Sequence, residues 1–179
     1  MARVPGSDLF ERVRFRGRPV ANPASVVVDG QVRLTVLTPR LLRLEWSDAG
    51  AFEDRGSYAF PTRHAAAPPF AVAREGGVLV VDTGALTLRY VRDSGRFTGR
   101  NLSISFEFDG RLVTWVPGMP NAGNLRGTRR TLDRCEGDAA LDEGLLSSVG
   151  WSLFDDSDSV LFQPDDGWVA PPREHAVQD

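Results

Sequence analysis

The chain has 179 residues, a quarter of them charged, with a formal net charge of -3 and no block of one sign. A length of this order suits one domain that buries its own core without metal or disulfide, and the charge balance leaves nucleic acid out of the expected partners. All 21 basic side chains are arginine, and the single cysteine, Cys135, excludes an intramolecular disulfide and a cysteine-based metal site. A reducing compartment fits that usage. Behind Arg3 no apolar stretch follows, so neither a signal peptide nor a membrane span is expected, and the expected location is cytoplasmic.

In chain order, residues 1–22 read as an extension with a lead-in strand. Residues 25–28 and 32–37 flank Asp29-Gly30, a dipeptide suited to positive φ, and form the first predicted hairpin. Leu42-Arg43-Leu44-Glu45-Trp46 alternates with period two, the pattern of a strand with one face in a core and the other in water. From 49 to 69 glycines and prolines predict a long connection with at most one short strand, around 57–60. A second hairpin joins 70–74 to 78–82 across Gly76-Gly77. Two more alternating runs follow, 86–90 and 102–108, the latter joined to 112–116 across Asp109-Gly110. Between 115 and 148 the period is lost, and long irregular loops in compact domains are often functional. A last strand pair, 150–154 with 160–163, flanks Asp155-Asp156-Ser157-Asp158. Residues 169–179, stiffened by Pro171 and Pro172, read as a linker. The fold class is all-β: an antiparallel β-sandwich over 23–168 with few or no helices.

Little in this pattern carries chemistry. His64 and His175 stand in a loop and the tail, without the partners a nucleophilic triad requires. The 155–158 cluster could offer oxygens to calcium, but it lacks the glycine and distal glutamate of an EF-hand, and a turn is the expected reading. No acid pair among the 24 carboxylates is marked by its surroundings, so the acids are expected on a solvated surface. The glycines of 123–127 lack P-loop spacing. Neither cofactor nor metal is expected. Trp46 and Trp151 fall at apolar phases and are expected in the core, whereas Trp115 and Trp168 border loops and are left open between core and a sugar or domain contact.

The run Gly123-Asn124-Leu125-Arg126-Gly127-Thr128-Arg129-Arg130-Thr131-Leu132-Asp133, then Gly144-Leu145-Leu146-Ser147-Ser148-Val149-Gly150-Trp151 and Asp155-Asp156-Ser157, resembles a signature of glycoside hydrolase family 31. The earlier run from Val36 to Glu45, followed by Phe52-Glu53-Asp54-Arg55, resembles the start of the same N-terminal domain, so the resemblance covers about 32–168. It implies a galactose-mutarotase-like sandwich ahead of a (β/α)8 barrel that carries the two catalytic aspartates of a retaining α-glycosidase. On that resemblance this chain has no catalytic residue of its own. It supports the barrel and lends a rim loop to the sugar pocket, with Asn124, Arg126, Thr128, Ser147 and Ser148 as candidate substrate-binding residues. Two positions depart from the family pattern: Arg126 where glycine is usual, and Ser148-Val149 where an Arg-Asp pair is common. The implied partners are the chain's own barrel and, through it, an α-linked glucoside or xyloside. A free-standing sugar binder or aldose-epimerase-like sandwich, and a domain that pairs with itself, are the competing readings.

Overall fold

A computed structural model describes residues 16–127, 141–163, 169–173 and 177–179. Thr128, Cys135, Trp168 and His175 lie outside them, as does the expected lead-in strand up to residue 15. The described residues are all-β apart from one 3-10 turn at Pro23–Ser25. Strands β1 (Val26–Asp29), β2 (Val32–Thr38) and β3 (Leu41–Ser47) form an antiparallel meander. A second meander runs in chain order through β5 (Ala71–Glu75), β6 (Val78–Asp82), β7 (Leu86–Val91), β8 (Leu102–Phe108) and β9 (Arg111–Trp115), after the two-residue strand β4 (Gly56–Ser57).

The turns follow from the residues in them. Gly76 and Gly77 (φ 56° and 76°) close β5–β6, and Asp109 and Gly110 (φ 51° and 69°) close β8–β9. Both turns put positive φ at both central positions, the geometry whose twist matches that of the flanking strands. In β6–β7 the Thr83 hydroxyl accepts from the amides of Ala85 and Leu86 and donates to the Pro39 carbonyl at 2.7 Å, which ties this turn to the other sheet.

The register sorts the side chains. Opposed pairs Val32 with Trp46, Leu34 with Leu44 and Val36 with Leu42 turn one face of the first sheet inward. Leu79 with Tyr90 and Val81 with Leu88 turn inward from the second. Val27, Val32, Leu34, Val36, Trp46, Leu79, Val81, Leu88, Tyr90, Phe97, Leu102 and Trp115 make one buried cluster between the two sheets. Each fully buried side chain of this kind is worth about 1.5–3 kcal/mol against exposure. Trp46 and Trp115 are thus core residues, and Trp151 packs at the cluster's margin, its ring 6.2 Å from that of Trp115.

Three expectations are corrected. Residues 150–154 form no strand: β10 (Leu161–Phe162) takes β4 as its ladder partner, and the 150–154 segment is held by aromatic contacts, Trp151 on Trp115 and Phe154 edge-on to Phe60 at 5.7 Å. The short strand expected at 57–60 ends at Ser57, because the Ser57 hydroxyl accepts from the Phe60 amide and turns the chain away. The stretch read as a linker supplies β11 (Val177–Gln178), which adds to the free edge of β3 so that the first sheet runs β1-β2-β3-β11.

Candidate functional site

The two segments singled out around Asn124 and Ser147 lie against each other. Asn124 bridges Ser147 and Gly127 bridges Asp142, antiparallel in both cases. The Leu125 amide donates to the Leu146 carbonyl at 2.9 Å, and the Ser148 amide to the Gly123 carbonyl at 2.9 Å. The Asn124 side chain is the pin of this double loop. Its Oδ1 accepts from the amides of Arg126 and Gly144, both at 2.8 Å, while its Nδ2 donates to the Gly144 carbonyl at 2.7 Å and the Ser152 hydroxyl at 3.1 Å. An asparagine carries both an acceptor and a double donor on one short arm, so it serves two backbone segments at once.

Glycines admit the close approach of the two arms. A Cβ on Gly144 would stand 2.9 Å from the Arg126 carbonyl oxygen, and one on Gly123 would stand 2.4 Å from a methyl of Val149. Val149 therefore lies down on Gly123, and at this departure from the family pattern the apolar side chain packs within the loop. At the other departure, Arg126 sits at φ 59°, in the left-handed region where a Cβ is strained and glycine is free. Its guanidinium is exposed and makes no hydrogen bond or ion pair among the described residues.

Of the five candidates, then, Asn124 and Ser147 serve the loop itself, the Ser147 hydroxyl accepting from the Val149 amide at 3.2 Å. The Ser148 hydroxyl donates to the Gly123 carbonyl at 3.2 Å from an exposed position. Arg126 projects freely, and Thr128 is outside the described residues. The outward surface of the double loop is apolar: Leu125, Leu145, Leu146 and Val149 are exposed, Leu146 to 69%.

A second constellation escaped the sequence reading. The face of β2 and β3 away from the core carries Arg33 opposite Glu45 and Thr35 opposite Arg43, and it is buried rather than in water: Glu45 is 3% exposed. The 48–63 connection folds over it, with the Phe52 ring 5.0 Å from the Arg33 guanidinium. Arg33 grips Glu45 with two bonds of 2.6 and 2.8 Å and reaches Asp54 at 2.6 Å. Arg43 lies 3.0 Å from Glu45, donates to the Glu53 carbonyl at 2.9 Å, and forms a two-pronged pair with Asp179. Arg173 also bonds Asp179, at 2.8 Å.

Burial pushes the Glu45 carboxyl above its usual range against the pull of Arg33 and Arg43. Buried Arg63, which donates to the carbonyls of Pro19 and Arg55, is pushed down to about 10, by burial first and by the charge of Arg43 next. The expectation that the acids are solvated thus fails for Glu45, Asp179 and Asp156, whose low exposure follows from arginine pairing for the first two. The legible hint was the opposite sign of Arg33 and Glu45. It becomes informative only once the register sets them face to face.

Glu45 and Asp179 are a convergent buried acid pair, but Arg43 stands between them, and the adjoining space is too small for sugar. That space, bounded by Phe52, Glu53 and Asp179, is about 170 Å³ counting its open side, below the roughly 300 Å³ at which small-ligand pockets begin. An open groove of about 460 Å³ on the outer side of β6–β8 is lined by Arg89 and Arg100 and by no carboxylate among the described residues. His64 is exposed, its Nδ1 3.3 Å from the Val20 carbonyl oxygen, and among the described residues it has no acid partner of the kind an epimerase base would need. The 155–158 stretch is a turn in which the Asp155 carboxylate accepts from the Ser157 amide at 3.0 Å. Among the described residues no three His, Cys, Asp or Glu side chains group as metal ligands, and no helix is long and apolar enough to cross a membrane. No family model matches the chain, and no curated protein matches it.

Proposed function

We propose that this chain is a non-catalytic β-sandwich domain of a retaining α-glycosidase that hydrolyses α-linked glucosides or xylosides, in which it supports a (β/α)8 barrel and lends that barrel a rim loop. One observation carries the reading. The two segments that resemble glycoside hydrolase family 31, some twenty residues apart in the chain, are pinned by Asn124 into one double loop. That loop presents Leu125, Leu145 and Leu146 outward, and a cluster of exposed apolar side chains supports a contact with another domain or chain. Arg126 is the one candidate with a free charged side chain, and it is the residue of the loop best suited to meet a sugar hydroxyl.

The arginine-neutralised state of Glu45 and Asp179 supports the non-catalytic half of the reading. Retaining hydrolysis needs one carboxylate free to attack and one acid free to donate its proton, about 5–5.5 Å apart across a bound sugar. The test is turnover of an aryl α-glucoside and an aryl α-xyloside. The chain alone is expected to be inert. A polypeptide in which it precedes a (β/α)8 barrel is expected to turn over one of them, and Leu145→Asp with Leu146→Asp in that polypeptide to cut kcat/KM at least tenfold. Hydrolysis by the chain alone overturns the proposal.

A further inference from the structure

Residues 177–179 touch three parts of the molecule. Through backbone pairing, Val177 and Gln178 extend the first sheet opposite Ser47 and Trp46. Through its amide group, Gln178 holds the loop between β7 and β8: its Oε1 accepts from the Phe97 amide at 2.8 Å and its Nε2 donates to the Phe97 carbonyl at 3.3 Å. Arg96 of that same loop donates to the Val177 carbonyl at 3.0 Å and lies over the Trp46 ring. Through Asp179 the segment reaches the 155–157 turn. The Asp156 amide donates to the Asp179 carbonyl at 2.9 Å, and the Asp179 amide donates to the Ser157 hydroxyl at 3.0 Å.

We infer that Val177, Gln178 and Asp179 form a charge-latched clasp that joins the first sheet, the β7–β8 loop and the 155–157 turn, and that opens as a local unit while the two meanders stay folded. The hydrophobic cluster between the sheets includes none of the three residues, so their detachment withdraws no side chain from it. What holds them is polar: two hydrogen bonds from one glutamine, and a buried carboxylate gripped by Arg43 and Arg173. Charge-assisted bonds of this kind are about twice as strong as neutral ones, so removing the charge of the one carboxylate weakens its bonds to both arginines at once. The Asp156 amide lies on the chain that returns from the double loop, so opening the clasp also frees one anchor of that arm. The inference does not depend on the proposed function.

The test is amide hydrogen exchange on Asp179→Asn and Gln178→Ala, with Leu88→Val as a core variant that lowers global stability. Exchange at Phe97 and Asp156 is expected to quicken at least tenfold in each clasp variant, while Leu79, Val81 and Leu88 or its replacement stay within twofold of their starting rates. The Leu88→Val variant should quicken Leu79, Val81 and its own position, which exchange by global unfolding, and leave Phe97 and Asp156 within twofold, since these exchange by the local opening. Unchanged exchange at Phe97 and Asp156 in the clasp variants, a rise there that Leu79, Val81 and Leu88 share, or a tenfold rise at Phe97 and Asp156 in Leu88→Val, overturns the inference. If Asp179→Asn fails to fold, Gln178→Ala alone decides, since it keeps the ion pairs.

Discussion

Arg126 shows how one residue can be at odds with its own backbone. Its left-handed φ is enforced from both sides, by the Asn124 carboxamide on its amide and by Gly144 against its carbonyl. Arg126→Gly should therefore stabilise the chain by about 1 kcal/mol, read as a rise in the urea midpoint at constant slope. Asn124→Ala should cost roughly 1–3 kcal/mol and open the 141–150 arm to protease, because it strands two amides at once. Asp179 gives a pH signature. Burial works to raise its carboxyl, but the Arg43 bond and the charges of Arg43 and Arg173 outweigh that and hold it below its ordinary 3.8. A depressed carboxyl contributes fully above the unfolded value and loses its contribution as the pH falls through the folded one. The stability gap between the native chain and Asp179→Asn should thus be about 3 kcal/mol near neutrality and close in acid below 3.8. At this scale the sequence was legible in part. Arg126 stood out as a side chain at a glycine's place, but nothing local distinguishes Glu45 from a solvated strand acid, since its burial is decided by a connection that folds over it.

Among the elements, those that declare themselves in sequence are the ones whose information is local. Gly76-Gly77 and Asp109-Gly110 encode their turns by backbone freedom alone, and the alternation of 42–46, 86–90 and 102–108 encodes faces. Nothing lies within 4 Å of a Cβ placed on Gly77, so Gly77→Ala should cost only the conformational strain of its φ of 76°, about 1 kcal/mol by denaturant unfolding, and leave the fold unaltered. Leu88→Ala at the middle of the second meander should cost about 2–5 kcal/mol by the same measurement. Of the two-residue strands, β10 falls within the strand expected at 160–163 and β4 overlaps the one expected around 57–60, but their pairing with each other stayed hidden, as did β11 altogether. Two residues cannot display a period, and their pairing is chosen by whichever distant edge lies open.

At the level of the whole molecule, the sandwich was legible because two amphipathic meanders have one economical way to hide their apolar faces. The polar layer on the back of the first sheet was not, since it depends on the 48–63 connection and on residues 173–179 arriving from elsewhere. The same carboxylate logic joins the sheets at another corner. Asp29, at the end of β1, receives Arg92, just past the end of β7, at 2.8 and 3.0 Å and Arg74 of β5 at 3.3 Å. The double loop, too, has a prop outside itself. A Cβ on Gly150 would strike the Phe108 ring at 2.4 Å, so the loop rests on the tip of the β8–β9 hairpin. That hairpin acts as a kickstand. Lengthening its turn by a residue or two would raise the apolar surface of the double loop away from the sandwich, and shortening it would let that surface sag, so the height of the double loop is written in a turn that forms no part of it.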